Sequence, residues 1–348
     1  MRMCINLARK GKGYVAPNPL VGCVIVKGGA IIGKGYHRKF GEAHAEVNAI
    51  NDAEKKGHDL KGATLYVSLE PCSHTSKTPP CSDLIIRKKI KEVVIGMQDP
   101  YEKVNGAGIR KLKKAGIDIT TGVLEKECRK LNRFFIKFVT KKLPYVTLKI
   151  AQSIDGKIAL EDHRSQWITG EESRKFVHKM RSTYDAVLIG KNTAKYDNPS
   201  LTVRDVKGRN PYRFVIDRKL SLPAKLKLFT DAGKEKTFVI TSSIKGEKRA
   251  NLVTLKEKTG MYDIKDILRA LYMMNISSVL VEGGGNLFSQ FFKSGLFDDV
   301  FLFIAPKVIG KGISSAGGLS VPSLDKAIRL KTDYIKRSGE DTLIYFKK

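Results

Sequence analysis

The sequence predicts two consecutive α/β domains, and three observations lead there. Its 348 residues are enough for two ordinary cores. Short apolar runs of strand character alternate with helical patterns along most of the chain. After Lys141-Lys142-Leu143-Pro144 the alternation starts again, which puts a boundary near 141–144 and domains at 1–143 and 144–348.

In the first domain, LVGCVIV (20–26) reads as a strand, Lys27-Gly28-Gly29 as a turn and AIIGKGYH as the returning strand. A helical pattern runs from Ala43, with Val47, Ile50 and Ala53 on one face, and closes at Gly57. TLYVSLE (64–70) has the character of a buried strand, CSDLIIRKKI opens a helix at Cys81, and EVVIGMQDP is a strand ending in a Pro100 turn. A helix at 107–115, the strand IDITTGV and one long amphipathic helix over 124–140 complete this unit. In the second domain YVTLKIAQS, DAVLIG (185–190), RFVID (213–217), TFVITS (237–242), SSVLVEGGG (277–285) and VFLFIAPKVIG (300–310) read as strands. Helices are expected at 170–182, 263–274 and 286–294.

Composition narrows the function. Hydrophobic residues at 42% and charged residues at 28% suit a soluble globular chain. No apolar run approaches the ~18 residues of a membrane span, and the opening MRMCINLARKGKG lacks the apolar region of a signal peptide. A cytoplasmic protein without a membrane partner is expected. Five cysteines, an odd count without a secretory signal, argue against a disulfide framework. Cys4, Cys23 and Cys128 read as small core hydrophobes. The net charge of +29 suggests nucleic acid, but the lysines are spread along the chain and no segment interleaves basic with aromatic residues. No nucleic-acid partner is expected, although an anionic ligand would gain from that field.

Cys72 and Cys81 differ from the other cysteines. His44-Ala45-Glu46 falls in the first turn of the predicted helix, and residues two apart diverge by roughly 200° there. That favours one metal ligand and one nearby acid that is not a ligand. Glu70-Pro71-Cys72 ends a strand, and Cys81 opens a helix, where unpaired N–H groups favour a thiolate. His44, Cys72 and Cys81 then make the protein's share of an open catalytic zinc site, and Glu46 is placed to carry protons. An H-x-E motif followed by P-C-x-x-C marks zinc deaminases, with the glutamate outside the ligand set. Here eight residues rather than two separate the cysteines. Two other readings share these residues: a nucleic-acid deaminase, and a non-catalytic protein whose structural zinc is closed by a fourth ligand such as His74.

The stretches APNPLVGCVIV, GEAHAEVNAI and SLEPCSHTSKTPPCSDLII resemble the deaminase half of the bifunctional riboflavin biosynthesis proteins. KIAQSIDGKIAL, SQWITG, IGKNTAKYDNPSLTVR and VEGGGNLF resemble the reductase half. The resemblance covers nearly the whole chain, although the N-terminus looks a few residues short. It implies an N-terminal three-layer cytidine-deaminase-like domain and a C-terminal dihydrofolate-reductase-like domain. The implied reactions are hydrolytic deamination of 2,5-diamino-6-(5-phosphoribosylamino)pyrimidin-4(3H)-one and NADPH-dependent reduction of its ribosyl chain to ribityl. The resemblance further implies that Asn18, His37, His74 and Lys77 hold the deaminase substrate, the last two near its phosphate. That insert argues against a nucleic-acid substrate. Ser165, Arg181, Leu201, Arg204 and Glu282 are implied to contact the reductase substrate. Gln152, Trp167, Thr193, Asp197, Gly284, Gly285, Asn286 and Leu287 are implied to contact NADPH, with Gln152 standing where a small residue is common. A homo-oligomer is implied as well.

The residues themselves say less about the second half. No G-x-G-x-x-G follows a strand, so a Rossmann site is not indicated. Val281 to Asn286 reads as strand, glycines and helix start, which could cradle a phosphate, though a tight turn would need the same glycines. Asp155-Gly156 reads as a turn rather than a catalytic acid. No acidic residue follows the glycine-rich turn to select NAD, so a pocket for the extra 2′-phosphate is expected at Ser242, Ser243 and Lys245.

Overall fold

In the computed structural model of the chain, the described residues are 1–73, 79–102, 104–243, 250–258 and 260–348. They form two compact units, Met1–Lys142 and Leu143–Lys348. The division falls one residue before the expected 143/144. Lys142 ends the last helix of the first unit in a left-handed conformation (φ 53°), and Leu143 already packs on the second core.

The first unit runs α1 (Arg2–Ala8), β1 (Gly22–Lys27), β2 (Ala30–Tyr36), α2 (Ala45–Lys55), β3 (Thr64–Val67), α3 (Cys81–Arg87), β4 (Glu92–Ile95), α4 (Ala107–Lys114), β5 (Asp118–Thr121), α5 (Glu125–Leu131) and α6 (Arg133–Lys141). Its sheet has the order β2-β1-β3-β4-β5. β1 is antiparallel to both neighbours, and β3, β4 and β5 are parallel. Helices cover both faces. Cys23 pairs with Gly35 and Ile25 with Gly33, so these residues share one face. On that face α2 lies so close that a Cβ at Gly33 or Gly35 would come within 2.3 Å of Ala49 backbone atoms. Gly22 points to the other face, where a Cβ would meet the Cys4 carbonyl of α1 at 2.0 Å. Cys4, Cys23 and Cys128 are fully buried.

The predicted single helix over 124–140 is two helices, because Asn132 interrupts it. The buried Asn132 amide accepts from the Leu20 N–H (2.8 Å) and donates to the Leu20 carbonyl (3.0 Å). It thus acts as a side-chain substitute for a strand partner just before β1. Asn132→Ala is expected to destabilise the first unit by about 1–3 kcal/mol, since two backbone groups lose their partner. Chemical denaturation followed by circular dichroism checks this; an unchanged midpoint would mean that water replaces the amide.

The second unit runs β6 (Tyr145–Ser153), β7 (Lys157–Ala159), α7 (Glu171–Arg181), β8 (Ala186–Gly190), α8 (Lys191–Asp197), β9 (Tyr212–Ile216), α9 (Lys227–Thr230), β10 (Thr237–Thr241), β11 (Asn251–Thr254), α10 (Ile264–Met273), β12 (Ser278–Val281), α11 (Gly285–Ser294), β13 (Asp299–Ala305), β14 (Ile313–Ser314), β15 (Lys331–Ser338) and β16 (Asp341–Lys347). The main sheet has the order β11-β10-β9-β8-β12-β6-β13-β16-β15. Its first seven strands are parallel, and the β15–β16 hairpin closes the edge in antiparallel fashion. Parallel strands buried on both faces explain the unbroken apolar runs of β8 and β12. The parallel order also aligns the carboxyl ends of β12, β8 and β9 along one edge, where open α/β sheets bind ligands.

Candidate active sites

In the first unit two structural devices bring three ligands together. α2 begins one residue after His44, which is the N-cap (φ −70°, ψ 166°) rather than part of the first turn. Its ring is therefore free to leave the helix axis while Glu46 enters the buried side of α2 with 3% exposure. The second device is Glu70. Its buried carboxylate accepts N–H groups from Asp99 (3.1 Å), Gly106 (3.0 Å), Gly108 (2.9 Å) and Ile109 (3.2 Å). This ties the Pro71-Cys72 segment to the start of α4, so closely that a Cβ at Gly108 would lie 2.0 Å from the Pro71 carbonyl oxygen. Strand β3 stops at Val67, so residues 68–70 of the predicted strand form this anchored turn instead.

His44 Nδ1 lies 3.6 Å from Cys72 Sγ and 3.3 Å from Cys81 Sγ, and the Cys81 N–H donates to Cys72 Sγ at 3.4 Å. The ligand atoms of His44, Cys72 and Cys81 all lie within 4.8 Å of one another. One imidazole and two sulfurs at this spacing fit zinc with a coordination position to spare. Hydrogen bonds from the Cys81 thiol and from His44 bring the Cys72 thiol down to about 4, while the Cys81 thiol is pushed well up by the same pairing and by burial. Burial, then the Cys72 charge, push the Glu46 carboxyl up to about 7. An acid that changes protonation near neutrality suits a proton carrier.

Asn18 and His37 lie beside this centre. The His37 ring stands edge-on to His44 at 5.4 Å, with its Nδ1 3.1 Å from the Ala43 carbonyl and its Nε2 3.3 Å from Asn18 Nδ2. Burial holds the His37 pKa down, which keeps the ring neutral: Nδ1–H donates to Ala43 and Nε2 accepts from Asn18. His74 and Lys77 lie outside the described residues.

In the second unit a cleft of about 910 Å³ opens at the carboxyl ends of β12, β8 and β9. Ser165, Trp167, Arg181, Thr193, Asp197, Leu201, Arg204, Glu282 and the run Gly284–Leu287 all line it. Gln152 does not; its Oε1 accepts from Ser315 Oγ at 2.8 Å. Gly284 is the N-cap of α11 and offers no side chain to cap it, so the first N–H groups of the helix, on residues that line the cleft, are uncapped. A Cβ at Gly285 would lie 2.2 Å from the Ser314 carbonyl oxygen, so a close backbone approach requires this glycine. A phosphate-bearing cofactor fits such a cradle. Leu287 turns its side chain into the core, so its main chain alone is available to a ligand.

Two side-chain contacts join residues of these sets, one of them across the substrate and cofactor groups. Ser165 Oγ donates to Asp197 Oδ1 at 2.7 Å, and Arg181 is locked to Glu282 through Nε (2.7 Å) and Nη2 (2.8 Å). Lys149 was not foreseen. It lines the cleft, and burial lowers its pKa although the Glu282 charge opposes this. A lysine inside an otherwise apolar strand is the signal that could have found it. Asp155 is structural, as its turn suggested: its carboxylate accepts from Ser153 Oγ and from the N–H groups of Ile309 and Gly310. Of the expected 2′-phosphate pocket, the two serines stand apart from the cleft. Ser242 Oγ is hydrogen-bonded to Glu257, neither Ser242 nor Ser243 lines the cleft, and Lys245 lies outside the described residues. Arg218 and Lys219, after β9, are among the described basic residues that line the cleft.

Comparison with known proteins places both halves. Residues 144–344 match the family described as the RibD C-terminal domain. Residues 1–97 match the cytidine and deoxycytidylate deaminase zinc-binding region. The riboflavin biosynthesis protein RibD of Aquifex aeolicus is 43% identical, over 100% of this chain and 97% of its own length. That of Escherichia coli is 37% identical, over 99% and 97%. The crystal structure of a diaminohydroxyphosphoribosylaminopyrimidine deaminase/5-amino-6-(5-phosphoribosylamino)uracil reductase from Thermotoga maritima superposes with a TM-score of 0.92 at 44% identity, covering 100% of this chain and 97% of that one.

Proposed function

The chain belongs to the RibD family of riboflavin biosynthesis proteins, and on that premise we propose which of its residues carry each of the two reactions. It is a bifunctional enzyme. One unit deaminates 2,5-diamino-6-(5-phosphoribosylamino)pyrimidin-4(3H)-one hydrolytically, and the other reduces the deaminated product to 5-amino-6-(5-phosphoribitylamino)uracil with NADPH.

The convergence of His44, Cys72 and Cys81 beside a buried Glu46 is the observation that carries the deaminase assignment. These three residues hold zinc, which when bound lowers the pKa of water toward ~7 and so supplies a nucleophile at neutral pH. Glu46 takes one proton from water and passes it to the ring nitrogen of the pyrimidine, then takes the remaining proton of the added oxygen and passes it to the amino group, which departs as ammonia. Asn18 and neutral His37 hold the pyrimidine beside it, and His74 and Lys77 take the phosphate.

In the reductase unit the N–H groups at the start of α11 hold the cofactor pyrophosphate, and Trp167, Thr193 and Asp197 line the rest of its path. NADPH, when bound, supplies the hydride. Ser165, Leu201 and Arg204, with the Arg181–Glu282 pair, position the ribosyl phosphate, so catalysis is mostly orientation. Incubating the whole chain with the diaminopyrimidine, with and without NADPH, tests both heads. Ammonia release without NADPH and ribityl product only with it are expected; NADPH oxidation ahead of ammonia release would reverse the order.

A cytoplasmic home is part of this reading. Cys72 and Cys81 are free thiols, which suits a reducing compartment. A homo-oligomer is the other part. β15 forms an edge of the main sheet with Ile335 62% exposed, and Leu324 is 90% exposed. Apolar side chains left open on and near a sheet edge favour pairing with a second copy. Sedimentation equilibrium should give a dimer that Ile335→Lys weakens; a monomer for the unaltered chain would sink the idea.

A further inference from the structure

Trp167 is the only tryptophan of the chain, and 59% of it is exposed at the cleft wall. So large an exposed ring would ordinarily sample several rotamers. Here it is restrained from two sides. Lys307 Nζ donates to the Trp167 carbonyl at 2.9 Å, which fixes the main chain. The Arg174 guanidinium stands 4.7 Å over the ring centroid. Arg174 is itself pinned: it leaves the first turn of α7, and its Nη1 donates to the Thr169 carbonyl at 2.8 Å. The neighbouring Ser173 anchors that turn through its hydroxyl on Ser338 Oγ at 3.0 Å.

We propose that Arg174 is a positioning residue for NADPH, holding the indole of Trp167 as a flat wall against which a planar ring of the cofactor stacks. The guanidinium lies over one face of the indole, and both side chains line the cleft. A cation on one face also holds the ring in place before the cofactor arrives, so less rotamer freedom is lost on binding. The inference rests on Trp167 being a cofactor wall, as proposed above, and adds the residue that makes it rigid.

The lone tryptophan is its own reporter. In the full-length protein without cofactor, Arg174→Ala and Arg174→Gln should lower Trp167 fluorescence anisotropy and raise its quenching by acrylamide. Arg174→Lys, which keeps a cation, should stay near the unaltered chain. Gln retains a donor for the Thr169 carbonyl, so it separates loss of the cation from loss of that hydrogen bond. Titration with NADPH, followed by quenching of Trp167, should show the Kd raised about two- to five-fold in the Ala and Gln variants. KM for NADPH should rise likewise with kcat little changed, and deamination reports an intact fold. If NADPH does not quench Trp167 in the unaltered chain, the wall assignment fails. If it does, but the cofactor-free signals of the Ala and Gln variants are unchanged, Arg174 does not position the ring.

Discussion

Glu46→Gln is expected to leave zinc bound at about one per chain and to slow deamination by about 10²- to 10⁴-fold, the usual contribution of a positioned proton carrier. The argument is geometric before it is chemical. The three ligand atoms converge without Glu46, because His44 leaves the chain at the N-cap while Glu46 is already helical. Gln keeps the size and burial of the side chain, so the ligands should not move. It cannot take up a proton from water, so neither the ring nitrogen nor the leaving ammonia is served. Zinc content by atomic absorption, with ammonia release by coupled assay, reads both halves of the claim. Loss of zinc would make Glu46 a ligand, and undiminished deamination would assign the proton to another group. Reduction of pre-deaminated substrate should continue at the normal rate, since that cleft is built only from residues of the second unit.

What could be read from the sequence was chemistry that demands particular atoms. Only a few side chains can hold zinc, and His44, Cys72 and Cys81 stand at the ends of elements whose periodicity is strong. Their convergence needed Glu70, whose part was hidden: a glutamate before Pro-Cys gives no sign that its carboxylate will meet four backbone N–H groups 29 to 39 residues on. The strands of the second unit were legible because parallel strands buried on both faces are unbroken apolar runs. The β15–β16 hairpin was missed, although Ser338-Gly339 between two alternating runs is a turn signal. Its outer strand is largely exposed and its apolar positions are few. The helix break at Asn132 was illegible for a different reason: apolar periodicity continues through it, and the residue that rewards the break, Leu20, is distant in sequence. Tertiary hydrogen bonding overrode local pattern there. The cofactor pocket suffered the same way, since Ser242 is engaged by Glu257 from a later loop.

Glu282→Gln should destabilise the second unit by about 3–5 kcal/mol, because it leaves the Arg181 cation buried without its partner. The pair is 12% and 6% exposed and joined by two hydrogen bonds, and Arg181 Nη1 also donates to the Thr202 carbonyl at 3.2 Å. Burial acts to raise the Glu282 pKa, but the Arg181 charge and its hydrogen bonds prevail and hold it below the usual glutamate value. A depressed carboxyl stabilises the fold above its unfolded pKa, so this contribution is present at neutral pH and is lost as pH falls through the folded value. Denaturant unfolding of the full chain should show the reductase transition shifted down and the deaminase transition unmoved. A cost under about 1 kcal/mol would mean that water already screens the pair. Stability and function then separate in the double variant Arg181→Met/Glu282→Leu. Apolar residues of similar volume commonly restore what a broken buried pair loses, so this variant should unfold near the unaltered chain and yet fail to reduce the deaminated substrate. If it proves both stable and active, the pair only holds α7 to the end of β12, and the ribosyl phosphate must be held by Arg204 and its neighbours alone.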